Sequence, residues 1–453
     1  MAKYTFFTQA ARDESNIAAS SEELVNLYPE SAPGDARTRI ALRSVLGEVE
    51  FANYGTPIVQ ALENATERLW AVSAGILYQI DADGSVTARG SVGNSVETSI
   101  SGNGPNVCVV ANGDYSVWDG TTLTNPTGQA FSNFGSVTFA AYDTILTELN
   151  GRRFQWSDTA DPTSFNALNF ATAEQRDGNI IRATVDRAQL YLFTEACIEV
   201  WRSTGAAGAT RYAFLTVIDA GRGLRGYHLL ARDAFGIFFV ANDGVAYIIS
   251  GDGITPVSTP AVQTDLAEGN PTSCYYYEDR GHKFCVIRFS NRPAWVYDLT
   301  TQLWHRRQNG VDRGAWGVQR MAYAFDKWMA ADDFGVVMEL RRTNTDRGLA
   351  LKRIMRGKPI YMDGKKFSVR EFEPLCSVGE SSLGRDAEVM LRWSRDGGQT
   401  WEGPQTASAG TLGDYAKEVE FYALGRGEQF VPEVSCTDPT DIVFYSDAIL
   451  EVG

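Results

Sequence analysis

The 453-residue chain has only three histidines, His228, His282 and His305, and they share no metal-ligand spacing. It also has no HExxH helix motif, no GxSxG elbow and no P-loop. Those absences remove zinc hydrolysis, α/β-hydrolase chemistry and P-loop phosphate transfer. Each histidine is expected on the surface or packed. Catalytic, cofactor-binding and metal-ligating residues are therefore all read as none. Cysteines are few and scattered: Cys108, Cys197, Cys274, Cys285, Cys376 and Cys436 form no CxxC pair, and most sit in apolar runs such as NVCVVAN and KFCVIRF. That pattern reads as buried free thiols from a reducing compartment rather than a disulfide framework. No run of about 18 apolar residues exists, so no membrane span is expected. Residues 1–10 carry one lysine and no apolar segment, unlike a secretory signal. Positive charge is also short: 41 Lys and Arg face 56 Asp and Glu, a net −15. Such acidity argues against a nucleic-acid coat and suits a soluble surface, or a lumen that must not hold DNA. Helical signals are scarce. Only SSEELVNLYPE qualifies, with Ser20 or Ser21 as cap, Glu22 or Glu23 near the third position and Pro29 as stop.

What is present is glycine, at 43 residues, with ten tryptophans and 11% aromatics, which is the composition of an all-β chain. One pattern returns seven times: an apolar run, a tight turn, a second apolar run, another turn. The copies are RLWAVSAGILYQIDADG, NVCVVANGDYSVWDGTT, TILTELNGRRFQWSDTADP, QLYLFTEACIEVWRSTG, GIFFVANDGVAYIISGDG, KFCVIRFSNRPAWVYDLTT and KWMAADDFGVVMELRR. Gly75 and Gly335 mark the first and last hairpin turns, 260 residues and six intervals apart. That is about 43 residues per repeat, the period of a four-stranded propeller blade. The hairpins would be the two middle strands of each blade. Asn112-Gly113, Asn150-Gly151 and Asp243-Gly244 are candidate two-residue turns. A lone blade cannot cover both of its faces, whereas blades stacked around an axis cover one another. The predicted fold is all-β: an irregular six- or seven-bladed β-propeller, with an N-terminal arm or platform and a C-terminal β-sandwich-like domain. A chain of β-sandwiches is the competing architecture.

The pattern breaks after Arg342. From 341 to 370 there are ten basic residues, Arg341, Arg342, Arg347, Lys352, Arg353, Arg356, Lys358, Lys365, Lys366 and Arg370, opposed by Asp346, Asp363 and the neighbouring Glu371. Two readings stand, a contact with an acidic partner or DNA phosphates, and a solvated linker that balances the acidic remainder. The expected boundaries are 1–55 for the arm, 56–345 for the propeller, 346–369 for a basic crossing and 370–453 for the C-terminal domain, where five strand-like segments follow one another. Within that domain SRDGGQTW fits the S-x-D-x-G-x-T-W pattern of the Asp-box, a hairpin turn resembling those of sialidase-type propellers. Ser394, Asp396, Gly398, Thr400 and Trp401 are its candidate structural residues: the carboxylate accepts backbone N–H bonds across the turn and the indole packs beneath. GRGLRG, 221–226, is expected to be a blade-connecting loop. Tyr275, Tyr276 and Tyr277 open a strand, and alternation would expose at least one.

Several segments in order resemble one family, the packaged-DNA stabilisation proteins that form the tail hub, or nozzle, of short-tailed bacteriophages. They are VNLYPE (25–30), the block DPTSFNALNFATAEQRDGNIIRATVDRAQLYLFTEACIEVWRSTG (161–205), GIFFVANDGVAYIISGDGITPVST, VYDLTTQLWHRR, RWSRDGGQTWEGPQ and KEVEFYALGRG. The resemblance implies a structural, non-catalytic virion protein, assembled in the host cytoplasm. It implies a hexameric ring of identical subunits below the portal and an adaptor, or head-to-tail connector. Genomic DNA would pass through that ring without sequence-specific binding, and a tail needle or gate, tailspikes or fibres would dock on it. No cofactor and no membrane contact come with the family. The alternative function is a carbohydrate-binding or sialidase-like propeller, which needs a pocket with clustered arginines and paired carboxylates on one propeller face.

Overall fold

The computed structural model describes residues 2–7, 22–31, 40–55, 59–218, 221–233, 235–251, 253–311, 314–362 and 364–453. All seven repeated hairpins become the middle strands of four-stranded antiparallel blades. Six blades draw their strands from consecutive sequence. Their innermost strands are Val59–Ala65, Thr98–Asn103, Phe134–Ala140, Ile180–Asp186, Leu230–Asp233 and Pro271–Asp279, defining blades 1 to 6. Blade 7 takes Val318–Ala324, Lys327–Asp332 and Val336–Arg341 from the end of the repeat region, and its outermost strand is Gly47–Asn53 from near the N-terminus. The innermost strand of blade 7 packs back against that of blade 1, so the ring is closed. Closure by a strand from the far end of the chain makes opening the ring cost a whole strand's pairing.

The middle strands explain the legible pattern. Asn106–Ala111 and Gly236–Val240 are buried almost throughout because each lies between two neighbouring blades. Apolar clusters fill those gaps, one around Trp295, Trp304 and Phe238 between blades 5 and 6, another around Trp316, Tyr277 and Val337's neighbour Met338 between blades 6 and 7. Asn112-Gly113 is a two-residue turn with both φ values positive, 54° and 83°, the geometry that matches strand twist. The Asp243-Gly244 hairpin is longer than expected. Its turn closes from the Gly244 N–H to the Ala241 carbonyl, and only the glycine has positive φ.

Residues 353–453 form a β-sandwich with much of the N-terminal segment woven in. One sheet holds Leu27–Ser31, Ile40–Ser44, Phe444–Val452, Phe367–Cys376 and the edge strand Ala2–Thr5. The facing sheet holds Arg353–Arg356, Gln429–Cys436, Glu388–Ser394 and Glu402–Ser408. Phe6, Leu27, Phe372, Phe430, Trp393 and Leu450 are among the buried residues between them. This second sheet is continuous with blade 6: Glu23–Val25 pairs in parallel with Leu303–Arg307 on one side and antiparallel with Arg353–Arg356 on the other. Propeller and sandwich are thereby joined by one hydrogen-bonded sheet.

That weld corrects the helix expected in SSEELVNLYPE. Residues 23–25 and 27–31 are strands, with Asn26 at φ 56° as the break between them. Leu24, Val25, Leu27 and Tyr28 are all buried, so sheet pairing on both sides outweighs a local preference for one helical turn. The expected caps Ser20 and Ser21 lie outside the described residues, as does Asp363. The tyrosine expectation also fails. Tyr275, Tyr276 and Tyr277 are all buried, since an inner strand has a neighbouring blade on each side and alternation leads from one interface to the other.

Candidate functional site

The Asp-box residues form one compact turn between two strands of the sandwich. The Ser394 hydroxyl lies 2.7 Å from Asp396 Oδ1 and accepts the Gly398 N–H at 2.7 Å. Asp396 accepts the Thr400 N–H at 2.9 Å and the Thr400 hydroxyl at 2.5 Å. Trp401 Nε1 donates to the Gly398 carbonyl at 3.1 Å. The Thr400 hydroxyl and N–H and the Ser394 hydroxyl lower the Asp396 pKa to about 2. Each of these bonds joins residues no more than four apart, which is why the sequence reveals them.

The basic run has no single face. Arg341 pairs with Glu339 at 3.2 Å, Arg342 with Asp279 at 2.5 Å, Arg347 with Asp332 at 2.9 Å and Arg370 with Glu451 at 3.6 Å. Arg353 is fully buried and donates to the Thr440 carbonyl at 2.5 Å. The Lys352 carbonyl accepts the Asn26 side-chain amide at 2.8 Å. Lys358 sits 5.3 Å over the Tyr4 ring. Exposed Lys366 reaches Glu428 at 4.0 Å, and Lys365 is exposed beside it.

Arg356 holds the weld. Its guanidinium meets Glu23 at 3.1 Å and Glu433 at 2.7 Å, and both carboxylates are only 1% exposed. The alternation extends both ways across the sheet. Glu23 faces Arg306 at 3.8 Å, Arg306 meets Asp265 at 3.2 Å, and Glu433 faces Arg392 at 3.4 Å. Trp401 covers one end, with Arg356 4.8 Å and Arg392 5.3 Å from its ring centroid. The structure thus brings together two features that the sequence presents separately, the Asp-box tryptophan and the basic run. A second buried set lies at the blade 6–blade 7 junction. Arg307 stands 3.9 Å from Glu48 and 3.7 Å from Asp346, with the Trp316 indole donating to Glu48 at 2.6 Å. Burial, then the neighbouring Asp346, pushes the Glu48 pKa up to about 7.

GRGLRG connects blades 4 and 5. Arg222 pairs with Asp243 at 3.1 Å, and a Cβ on Gly223 would fall 2.2 Å from the Glu195 carbonyl. His282 Nδ1 bonds Asp298 at 2.7 Å, His305 is fully buried and pushed down to about 3 by that burial, and all six cysteines are free thiols. Among the described residues no three His, Cys, Asp or Glu side chains gather closely enough to hold a metal ion.

The propeller axis holds a cavity of about 530 Å³ to which all seven innermost strands contribute. That volume suits a small molecule. Its charged lining comprises Glu63 from blade 1, Arg182 from blade 4, Arg232 and Asp233 from blade 5 and Arg320 from blade 7, with His228 at the entry to blade 5. Arg320 donates to the carbonyls of Gln60 and Gln319 at 3.0 and 2.8 Å, and Arg182 to the Tyr227 carbonyl at 3.3 Å. Burial and the nearby Arg182 and Arg288 push the Arg320 pKa down to about 9. Burial, with Arg320 and Arg182 adding to it, holds His228 neutral, its Nε2 2.6 Å from the Val96 carbonyl. Glu63, exposed on the cavity wall, has a pKa raised by its crowded surroundings against the pull of Arg182 and Arg232. Glu63, Arg182, the 228–233 group and Arg320 lie about a blade or more apart in sequence. Their one signal is a charged residue in the strand preceding a repeated hairpin, as in NIIRATVD and GVQRMAYA.

A sequence profile of the family described as Bacteriophage P22 Gp10, beta-propeller, matches residues 24–344. The match takes in every blade and the closing strand. Among solved structures the chain is similar to the WD40 domain of Neurospora crassa Pan2, at 8% identity over 65% of this chain and 95% of that one, with a TM-score of 0.46. It is also similar to YCF48 from Cyanidioschyzon merolae, at 12% identity over 66% and 99% of the two chains, TM-score 0.46. No curated protein matches it.

Proposed function

This chain belongs to the bacteriophage P22 Gp10 β-propeller family, and from that premise we propose that it is the repeating subunit of a tail hub. It is a structural protein of a phage tail, and its place is the virion. In the proposed assembly six copies form a nozzle ring beneath the portal and adaptor. DNA passes through the space enclosed by the ring, and a needle or gate, with spikes or fibres, docks on it. Assembly takes place in the host cytoplasm, and the subunit acts without catalysis. The observation that carries this reading is the family match from 24 to 344.

Three features of the chain support it. The sheet shared by blade 6 and the sandwich makes a stiff two-part block, suited to a ring under load from packaged DNA. The propeller's own axis, at about 530 Å³, is sized for a small molecule, so a duplex needs a passage between copies. A net charge of −15 per copy gives six copies about −90, and acidity on the lumen would keep DNA from adhering. The carbohydrate reading keeps one specific observation, the arginines and carboxylates of the axial cavity. The Asp-box gives it nothing, since that turn stands on the sandwich and its bonds are spent within the turn. Electron microscopy of the chain mixed with portal–adaptor complex tests the hub: sixfold density capping the adaptor is expected, and a free monomer that ignores the adaptor would overturn it.

A further inference from the structure

We propose that the axial cavity of the propeller is a binding site for a small multivalent oxyanion of the phosphate class. Three guanidinium groups, Arg182, Arg232 and Arg320, reach it from blades 4, 5 and 7. Among the described residues none of the three has a carboxylate within 4 Å, whereas the basic run after Arg342 is largely ion-paired. Arg182 and Arg320 are anchored by backbone carbonyls through one or two nitrogens each, which fixes their stems and leaves guanidinium N–H donors unspent. Guanidinium forks held in place but short of anionic partners are matched to an oxyanion with several acceptor oxygens.

The rest of the lining agrees. Ser101, Thr138 and Thr184 are among the lining residues and carry hydroxyls able to donate to an anion. Two carboxylates, Glu63 and Asp233, set against three arginines leave the lining with a net positive charge. Arg182 and Arg320 share the cavity, and Arg182 adds to burial in lowering the Arg320 pKa. An anion among the three arginines offsets their like charge and ties blades 4, 5 and 7 across the axis, so binding stabilises the ring of blades. The inference is independent of hub assembly: a chain that builds hexamers without binding anions, or binds anions without building hexamers, separates the two.

The test uses the full chain with inorganic phosphate and pyrophosphate as probes, and N-acetylneuraminic acid as the carboxylate-bearing comparison. Calorimetry and thermal shift in chloride buffer should show saturable binding, tighter for pyrophosphate than for phosphate. Arg182→Gln and Arg320→Gln should each weaken it by about tenfold or more, as expected for losing a charge-assisted contact, while Arg341→Gln, outside the cavity, leaves it unchanged. Circular dichroism and the unliganded melting temperature establish that the variants fold. Phosphorus NMR line broadening on the unmodified chain reads the same contact without a variant. No saturable binding of either phosphate probe, or binding equal in the Arg182, Arg320 and Arg341 variants, would overturn the proposal. Selective binding of the sialic acid would overturn it in favour of the carbohydrate reading.

Discussion

Replacing Arg356 with alanine should detach the sandwich from the propeller energetically while leaving the propeller's own blades intact. Glu23 and Glu433, each 1% exposed, both depend on this guanidinium, at 3.1 and 2.7 Å. Removing one partner of a buried pair costs about 3–5 kcal/mol because the remaining charge is left uncompensated. Here two carboxylates are left, though Arg306 and Arg392 still neighbour them at 3.8 and 3.4 Å and moderate the loss. Loss of the stacking on Trp401 adds about 0.5–1 kcal/mol. The expected total is therefore about 3–5 kcal/mol. Lys366→Ala, from an exposed pair at 4.0 Å, should cost less than about 0.5 kcal/mol. Urea unfolding followed by tryptophan fluorescence measures both, and limited proteolysis near residues 342–352 reports loosening at the weld. Glu433→Gln in the Arg356→Ala background should recover part of the loss, since it removes one stranded charge. If Arg356→Ala is no more harmful than Lys366→Ala, the internal role assigned to this part of the basic run is wrong.

Three further outcomes are expected. Glu48 has a folded pKa of about 7 against an ordinary 4.5, so the folded chain binds the extra proton between those values and stability falls as pH rises across that window; Glu48→Gln should flatten the dependence of melting temperature between pH 5 and 8. Gly223→Ala should destabilise by about 1–3 kcal/mol, because its Cβ meets the Glu195 backbone at 2.2 Å, while Gly226→Ala, facing only the Leu229 side chain at 3.4 Å, should cost less than about 1 kcal/mol in the same unfolding assay. Asp396, held near 2, contributes stability above the unfolded carboxylate value that is lost as pH falls through about 2; exposure limits the contribution to under about 1 kcal/mol, and comparing acid melts of Asp396→Asn with the unmodified chain measures it.

The hairpins were legible because each middle strand lies between two blades, which demands a short apolar run, and because six of the seven turns between them carry Gly or Asn, the exception being Glu195-Ala196-Cys197 in blade 4. Outer strands were less so: Asp161–Thr172 is mostly exposed and shows little pattern. The Asp-box could be read residue by residue because its bonds never leave the turn. Long-range pairing stayed hidden. Nothing local marks Gly47–Asn53 as the strand that closes blade 7, or Glu23–Val25 as the strip joining two domains. The ladder from Asp265 to Arg392 draws on five separate strands and one helix, Pro260–Glu268, so a charge run in sequence gave no hint that Arg356 and Trp401 would meet. The axial arginines were hidden for the same reason, each being one residue of a different repeat.

The central claim is that this propeller-and-sandwich block is the repeating unit of a tail hub. Cryo-electron microscopy of the purified chain with portal–adaptor complex tests it most directly. A sixfold ring seated on the adaptor is expected, with a DNA-wide passage between subunits and the propeller axes lying outside that passage. An adaptor that stays bare at saturating chain concentration, with the chain monomeric beside it, would contradict it.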